Sequence, residues 1–249
     1  MKQSLIYTIL SMTILLLAGC NVKDWPENTT ETEVGYIDVQ LQGKESVTRG
    51  DNTSTVISKE EADLFLVTVT RNGEVVCQQK ELMGIVHLTF PVGNGYKVFV
   101  ENITEKQAIE ANEGWGAKRF TGNSKSFGIV SNKPTSVAVP CHQANAAINV
   151  DVEVANSKVT LTTSDGRELS TEESRVAYFN INATAPLQVT ITVEKDGEVM
   201  QEEVNIETPK QINVNVMPDM VDMNQFSLNI TYEDTFDVEF EYIKVPIED

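Results

Sequence analysis

The sequence predicts an all-β protein made of two tandem β-sandwiches. Three observations carry that expectation. Apolar and polar residues alternate with period two almost from residue 35 to the end. Helix signals are few and short. Two distant segments, "VTVTRNGEVV" at 67–76 and "ITVEKDGEVM" at 191–200, read as copies of one hairpin.

Before the alternation begins, the chain carries an address. Lys2 precedes an apolar stretch, Leu5 to Leu17. That stretch, about a dozen residues, is too short to span a bilayer and fits a signal-peptide core. It ends Leu17-Ala18-Gly19-Cys20. Small residues before a cysteine are the pattern of a bacterial lipoprotein signal. The expectation is therefore a signal peptide over 1–19, cleavage before Cys20, and a lipid on its thiol that ties the protein to a membrane. Residues 20–34, polar and holding Pro26, read as a flexible tether.

The strands follow in order. Ile37, Val39 and Leu41 point one way, and Asp38, Gln40 and Gln42 the other. Val137 and Val139 repeat the pattern, as do Val189, Ile191 and Val193, and then Ile212, Val214 and Val216. The last runs are Phe226, Leu228, Ile230, Tyr232 and Val238, Phe240, Tyr242. Each reads as a strand with one face on a core and one in water. Ser58 with Glu61, and Thr104 with Gln107, have the spacing of capping boxes on one- or two-turn helices.

Gly73 after Asn72 and Gly197 after Asp196 predict tight type I′ turns. Their offset exceeds any solenoid repeat and matches a domain length. It divides the body into a first sandwich over 35–140 and a second over 141–249, with the boundary near Pro140 and Cys141.

With Cys20 lipidated, Cys77 and Cys141 remain. Both lie in β-type runs, in a compartment that permits a disulfide. They are a candidate pair, weighed against two buried free thiols.

Catalytic chemistry is hard to find. His87 and His142 read as residues of separate strands without metal-ligand spacing. Cys141 and His142 are adjacent, and neighbours on a strand face opposite ways, so they form no nucleophile–base pair. No phosphate loop, Gly-x-Ser-x-Gly or EF-hand pattern occurs. The reading is non-enzymatic, with no cofactor and no metal.

Charge narrows the partners. The chain has 19 Lys and Arg against 37 Asp and Glu, net −18. Such acidity repels nucleic acid phosphates and anionic lipid surfaces, so no nucleic-acid partner is expected.

"GYIDVQL", "SVTRGD", "DLFLVTVTRNGEVV", "FPVGNGYKVFVEN", "VAVPCHQANAAINVDVE" and the tail "FSLNITYEDTFDVEFEYIKV" together resemble Bacteroidetes surface lipoproteins of the type V fimbrial (fimbrillin-like) superfamily. Within it the chain is similar to the family of domain of unknown function 4493. The resemblance implies tandem transthyretin-like sandwiches, an immunoglobulin-like two-layer architecture. It also implies an outer-membrane location, on the cell surface or the periplasmic face. The implied role is a fimbrial structural or accessory component, an anchor, tip or assembly protein, whose partners are other fimbrial or surface proteins met through strand contacts. The alternative is a surface glycan- or ligand-binding lipoprotein, for which Trp115 in "EGWGAKRF" is the one aromatic in a loop-like context.

The segment Arg49-Gly50-Asp51 keeps three readings. It is a polar linker between strands, an adhesive tripeptide, or a processing site. In the fimbrial relatives an Arg-directed protease cuts after the first strand, and Arg49 stands where that Arg would stand.

Overall fold

The computed structural model describes residues 33–43, 55–85, 87–181, 185–218, 226–233 and 238–240. The expected signal peptide, Cys20 and Arg49 lie outside the described residues, as does nearly all of the tether.

The first half of the chain runs β1 (Val34–Gln42), β2 (Thr55–Ile57), α1 (Lys59–Asp63), β3 (Leu66–Arg71), β4 (Glu74–Glu81), α2 (Leu82–Ile85), β5 (Thr89–Pro91) and β6 (Gly93–Glu101). It continues with α3 (Glu105–Glu110), a 3-10 turn (Asn112–Gly114), β7 (Phe120–Asn123), β8 (Phe127–Ile129) and β9 (Pro134–Gln143). The second half runs β10 (Asn145–Val152), β11 (Lys158–Thr163), β12 (Glu168–Thr171), β13 (Arg175–Asn180), β14 (Leu187–Lys195), β15 (Glu198–Ile206), β16 (Gln211–Pro218), β17 (Phe226–Glu233) and β18 (Val238–Phe240). The protein is all-β.

Alternation is what drives these strands together. Ile37, Val39, Leu41, Val189, Ile191, Val193, Ile212, Val214 and Val216 are all buried, as their spacing predicts. Each such side chain taken from water contributes roughly 1.5–3 kcal/mol before entropy. The buried residues form two clusters. One gathers β1, β3, β4, β6 and β9. The other gathers β10, β11, β14 and β16.

The two halves share a strand arrangement. In the first, β4, β3, β6 and β7 form one antiparallel run, and β5, β1 and β9 another in which β1 is antiparallel to β5 and parallel to β9. In the second, β12, β11, β14 and β15 are antiparallel. Beside them β10 lies antiparallel to β13 and parallel to β16, with β17 added outside. A parallel pair cannot be closed by a hairpin, so each half returns to its first strand only after a long crossover. β9 joins the two runs of the first half: Pro134–Pro140 pairs with β1, and Cys141–Gln143 turns to pair with β7.

Both predicted hairpins form. Asn72 and Gly73 (φ 52° and 87°) and Asp196 and Gly197 (φ 51° and 90°) have the positive values of type I′ turns. They are not, however, copies of one position. The β3–β4 hairpin stands at one edge of its run, where the second half has β11–β12. The β14–β15 hairpin stands where the first half has β6–β7. Their likeness reports turn chemistry, not an offset between equivalent strands.

Two further expectations change. Tyr232, at an apparent core position of β17, is 52% exposed because β17 is an edge strand, and its ring carries Lys210 Nζ 5.0 Å from the centroid. His87 lies in the turn after α2, not in a strand. Both capping boxes form as spaced. Ser58 Oγ accepts from Glu61 N at 3.2 Å, and Thr104 Oγ1 accepts from Gln107 N at 3.3 Å.

Candidate functional site

β1 is the element with the most unusual connection to its surroundings. It is hydrogen-bonded on both sides, to β5 over Val34–Tyr36 and to β9 over Tyr36–Gln42. Its inner face is Gly35, Ile37, Val39 and Leu41, all buried. Its start is fixed by two further bonds: Val92 N donates to Glu33 O at 2.8 Å, and Asn132 N donates to Val34 O at 3.1 Å. On its outer face Ser136 Oγ and Gln40 Nε2 both donate to Asp38 Oδ2, at 3.3 Å and 3.0 Å. Residues 43–54 carry the chain from β1 to β2, and Arg49 is among them. Without β1, β5 and β9 would each bare a row of backbone donors and acceptors, and an apolar slot would open between them.

The two cysteines do not meet. Cys141 is a free, buried thiol. Cys77 is opposite Val69 on β3, and Cys141 is opposite Gly122 on β7. β3, β6 and β7 separate the strands that carry them. At about 4.8 Å per strand step, that distance is far beyond disulfide reach. Burial pushes the Cys141 thiol up to about 12, against a smaller lowering by a backbone hydrogen bond with Gln42, and its Sγ donates to Val139 O at 3.5 Å. His142 is exposed on the opposite face of β9, so the adjacent Cys141 and His142 diverge.

Trp115 is 5% exposed and belongs to the second core, although it comes from the segment between β6 and β7 of the first half. A set of main-chain contacts holds it there. Tyr178 N donates to Trp115 O at 2.7 Å. Arg175 Nη2 donates to Asn112 O at 3.2 Å, Asn180 Nδ2 donates to Glu105 O at 3.1 Å, and Arg167 Nη2 donates to Gly114 O. The Arg175 guanidinium also lies 4.6 Å from the Trp115 ring centroid. Arg167, whose pKa burial lowers, lies over the Phe179 ring at 4.8 Å. Beneath this contact Arg119 pairs with the buried Glu101 at 2.9 Å. The Asn145 side chain accepts from Arg119 N and donates to Ala117 O, at 3.1 Å and 2.7 Å. None of these partners has a periodic signal; only the Gly-flanked tryptophan was visible in sequence. A buried Trp115 offers no stacking platform to a sugar.

An open, shallow depression of about 430 Å³ lies over Lys158 and residues 170–175. No aromatic side chain lines it. Among the described residues no group of three or more His, Cys, Asp or Glu could hold a metal ion. Among them, too, no helix is long and apolar enough to cross a membrane.

Two fimbrial proteins are among the solved structures that the chain is similar to. One is a fimbrial assembly protein from Parabacteroides distasonis, at 12% identity over 74% of this chain and 95% of that one, with a TM-score of 0.46. The other is the fimbrial anchor protein Mfa2 from Porphyromonas gingivalis, at 9% identity over 79% and 96%, with a TM-score of 0.43. Curated proteins give no match. The family model described as Domain of unknown function (DUF4493) matches residues 33–247, which takes in every described strand, and the chain belongs to that family.

Proposed function

We propose that this protein is a lipid-anchored, non-enzymatic component of a surface fimbria that meets its neighbours by exchanging strands. The body is two tandem sandwiches, 35–140 and 141–249 as read from sequence, except that β9 runs through the boundary to Gln143 and β18 pairs back to β2; the first lends Trp115 to the core of the second. The observation that carries the reading is β1. It is an inner strand by hydrogen bonding and burial, and the segment that leads out of it into the body holds Arg49. A cut there turns β1 from a covalent part into a bound ligand, and a bound strand can be replaced by another. An accessory subunit that remains on the membrane should escape the cut or keep the strand, and a shaft-like subunit should be cut and released.

The test is cross-linking in native outer membranes followed by purification of this protein. Other fimbrial subunits are expected to come with it. Recovery of a glycan-uptake complex in their place would support the ligand-binding alternative. The anchor has its own check: Cys20→Ala should move the protein from the membrane to the soluble fraction, and a variant that stays with the membrane at wild-type level removes the lipid from the account.

A further inference from the structure

Gly35 is the first inner-face residue of β1, in line with Ile37, Val39 and Leu41. A Cβ built there would lie well inside van der Waals distance of the Val130 carbonyl oxygen and 2.7 Å from Ile129 Cγ2. Ile129 ends β8 and is 2% exposed, so the chain leaving β8 passes directly under the start of β1. The obstruction is a backbone oxygen, not the end of a flexible side chain. Asn132 N, bonded to Val34 O, ties the same loop to β1 itself. The backbone of Gly35 is outside the left-handed region, so what its position demands is space, not a special conformation.

Granted strand exchange at β1, on which this step rests, we infer that the β1 slot selects its occupant by sequence. It takes, from a separate partner chain, an extended segment that runs parallel to β9 and antiparallel to β5. The inner face of that segment is glycine, then aliphatic residues two, four and six positions later. A side chain at the glycine place is rejected by the Val130 carbonyl. Sliding the strand is no escape. A slip of one residue turns the aliphatic face outward. A slip of two either drives an aliphatic side chain under β8 or leaves the Leu41 place empty, and overpacking and cavities are both unfavourable. Tyr36, on the outer face and 42% exposed, carries no such constraint.

The experiment uses the full chain with a specific protease site placed within residues 44–54, cut after folding. Fluorescent peptides spanning residues 33–42 are added, and capture is followed by polarisation and intact mass. The wild-type peptide and a Tyr36→Val peptide should both displace the resident strand. A Gly35→Val peptide should bind roughly tenfold more weakly or worse. Equal capture of the Gly35→Val and wild-type peptides overturns the selection while leaving strand exchange standing. Failure of every peptide, the wild-type one included, overturns strand exchange and the inference with it. Dimers of the cut protein in place of peptide capture assign the slot to a second copy and overturn the separate partner.

Discussion

β1 and β10 occupy the same place in their two halves. Each is a first strand, antiparallel to one neighbour (β5, β13) and parallel to a late one (β9, β16). Each buries alternating apolar residues: Ile37, Val39 and Leu41 in β1, Ala146, Ile148 and Val150 in β10. Their connections differ. Only Ala144 separates β10 from β9, and a short turn carries it into β11. β10 is further pinned by Asn145, whose side chain bonds the main chain at Ala117 and Arg119. β1 has no such short turn: the long segment 43–54 separates it from β2. Equivalent packing therefore does not mean equivalent permanence. What makes a strand replaceable is how it is joined to the chain, and only the first half leaves its first strand so joined.

The largest effect expected from that contrast is on anchoring. A cut after Arg49 should leave β1 seated: its three aliphatic side chains contribute about 1.5–3 kcal/mol each, and its ladder bonds add roughly 1 kcal/mol apiece. Adding excess 33–42 peptide should then release the body from membranes while the Cys20–Arg49 piece stays with the lipid. A matching cut between Ala155 and Asn156, in the turn after β10, should release nothing, because the chain still enters β10 from β9. Membrane fractionation with intact mass reads both, and Arg49→Ala supplies the uncut control. Native protein that always shows a single uncut mass from Cys20 would reduce Arg49 to a linker residue.

Next in size is the tie between the halves. Trp115→Ala empties a buried aromatic site and should cost about 3–5 kcal/mol. The loss should fall on the second core. Amide exchange should rise in β10 and β13, while β1 and β9 hold their protection. For the same reason the 141–249 fragment, which lacks Trp115, should fold but melt at lower denaturant than the same region in the full chain. Equal midpoints, or lost protection concentrated in β1 and β9, would show that Trp115 is not part of the second core.

What sequence reveals here tracks what is local. Ile37, Val39 and Leu41, or Ile212, Val214 and Val216, were legible because a strand's period is a property of neighbouring residues. So were the Asn72-Gly73 turn and the two capping boxes. The parallel partners of β1 and β10 lie far along the chain, and no short-range pattern names them. The resemblance of the two glycine hairpins misled for the same reason: type I′ chemistry is shared by any tight hairpin, whichever strands it joins. The Cys77–Cys141 pair failed on a fact only topology supplies, the three strands between them. At the candidate site Arg49 was read from the residue itself. The role of Gly35 was not, because the Val130 carbonyl that excludes a side chain there comes from nearly a hundred residues later.

The smallest effect tests the sharing of cores most finely. α1 and α3 begin with the same device, a Ser or Thr N-cap with Glu or Gln three residues on, and both lie in the first half of the chain. Their surroundings differ. α1 leads into Phe65, a first-core residue, and its Ala62 packs on that core. α3 instead packs beside β13, where Asn180 reaches Glu105 O, and it leads into the 3-10 turn that delivers Trp115. Ser58→Ala and Thr104→Ala remove equivalent caps and should each cost about 1 kcal/mol. By global melting the two variants should look alike. By amide exchange they should part: Ser58→Ala should loosen α1 and the start of β3, and Thr104→Ala should loosen α3 and β13 across the boundary. If Thr104→Ala loosens β6 and β7 and leaves β13 unchanged, then α3 belongs to the first half in energy as well as in sequence, and the tie rests on other contacts, among them Trp115, the arginines and the β2–β18 pair.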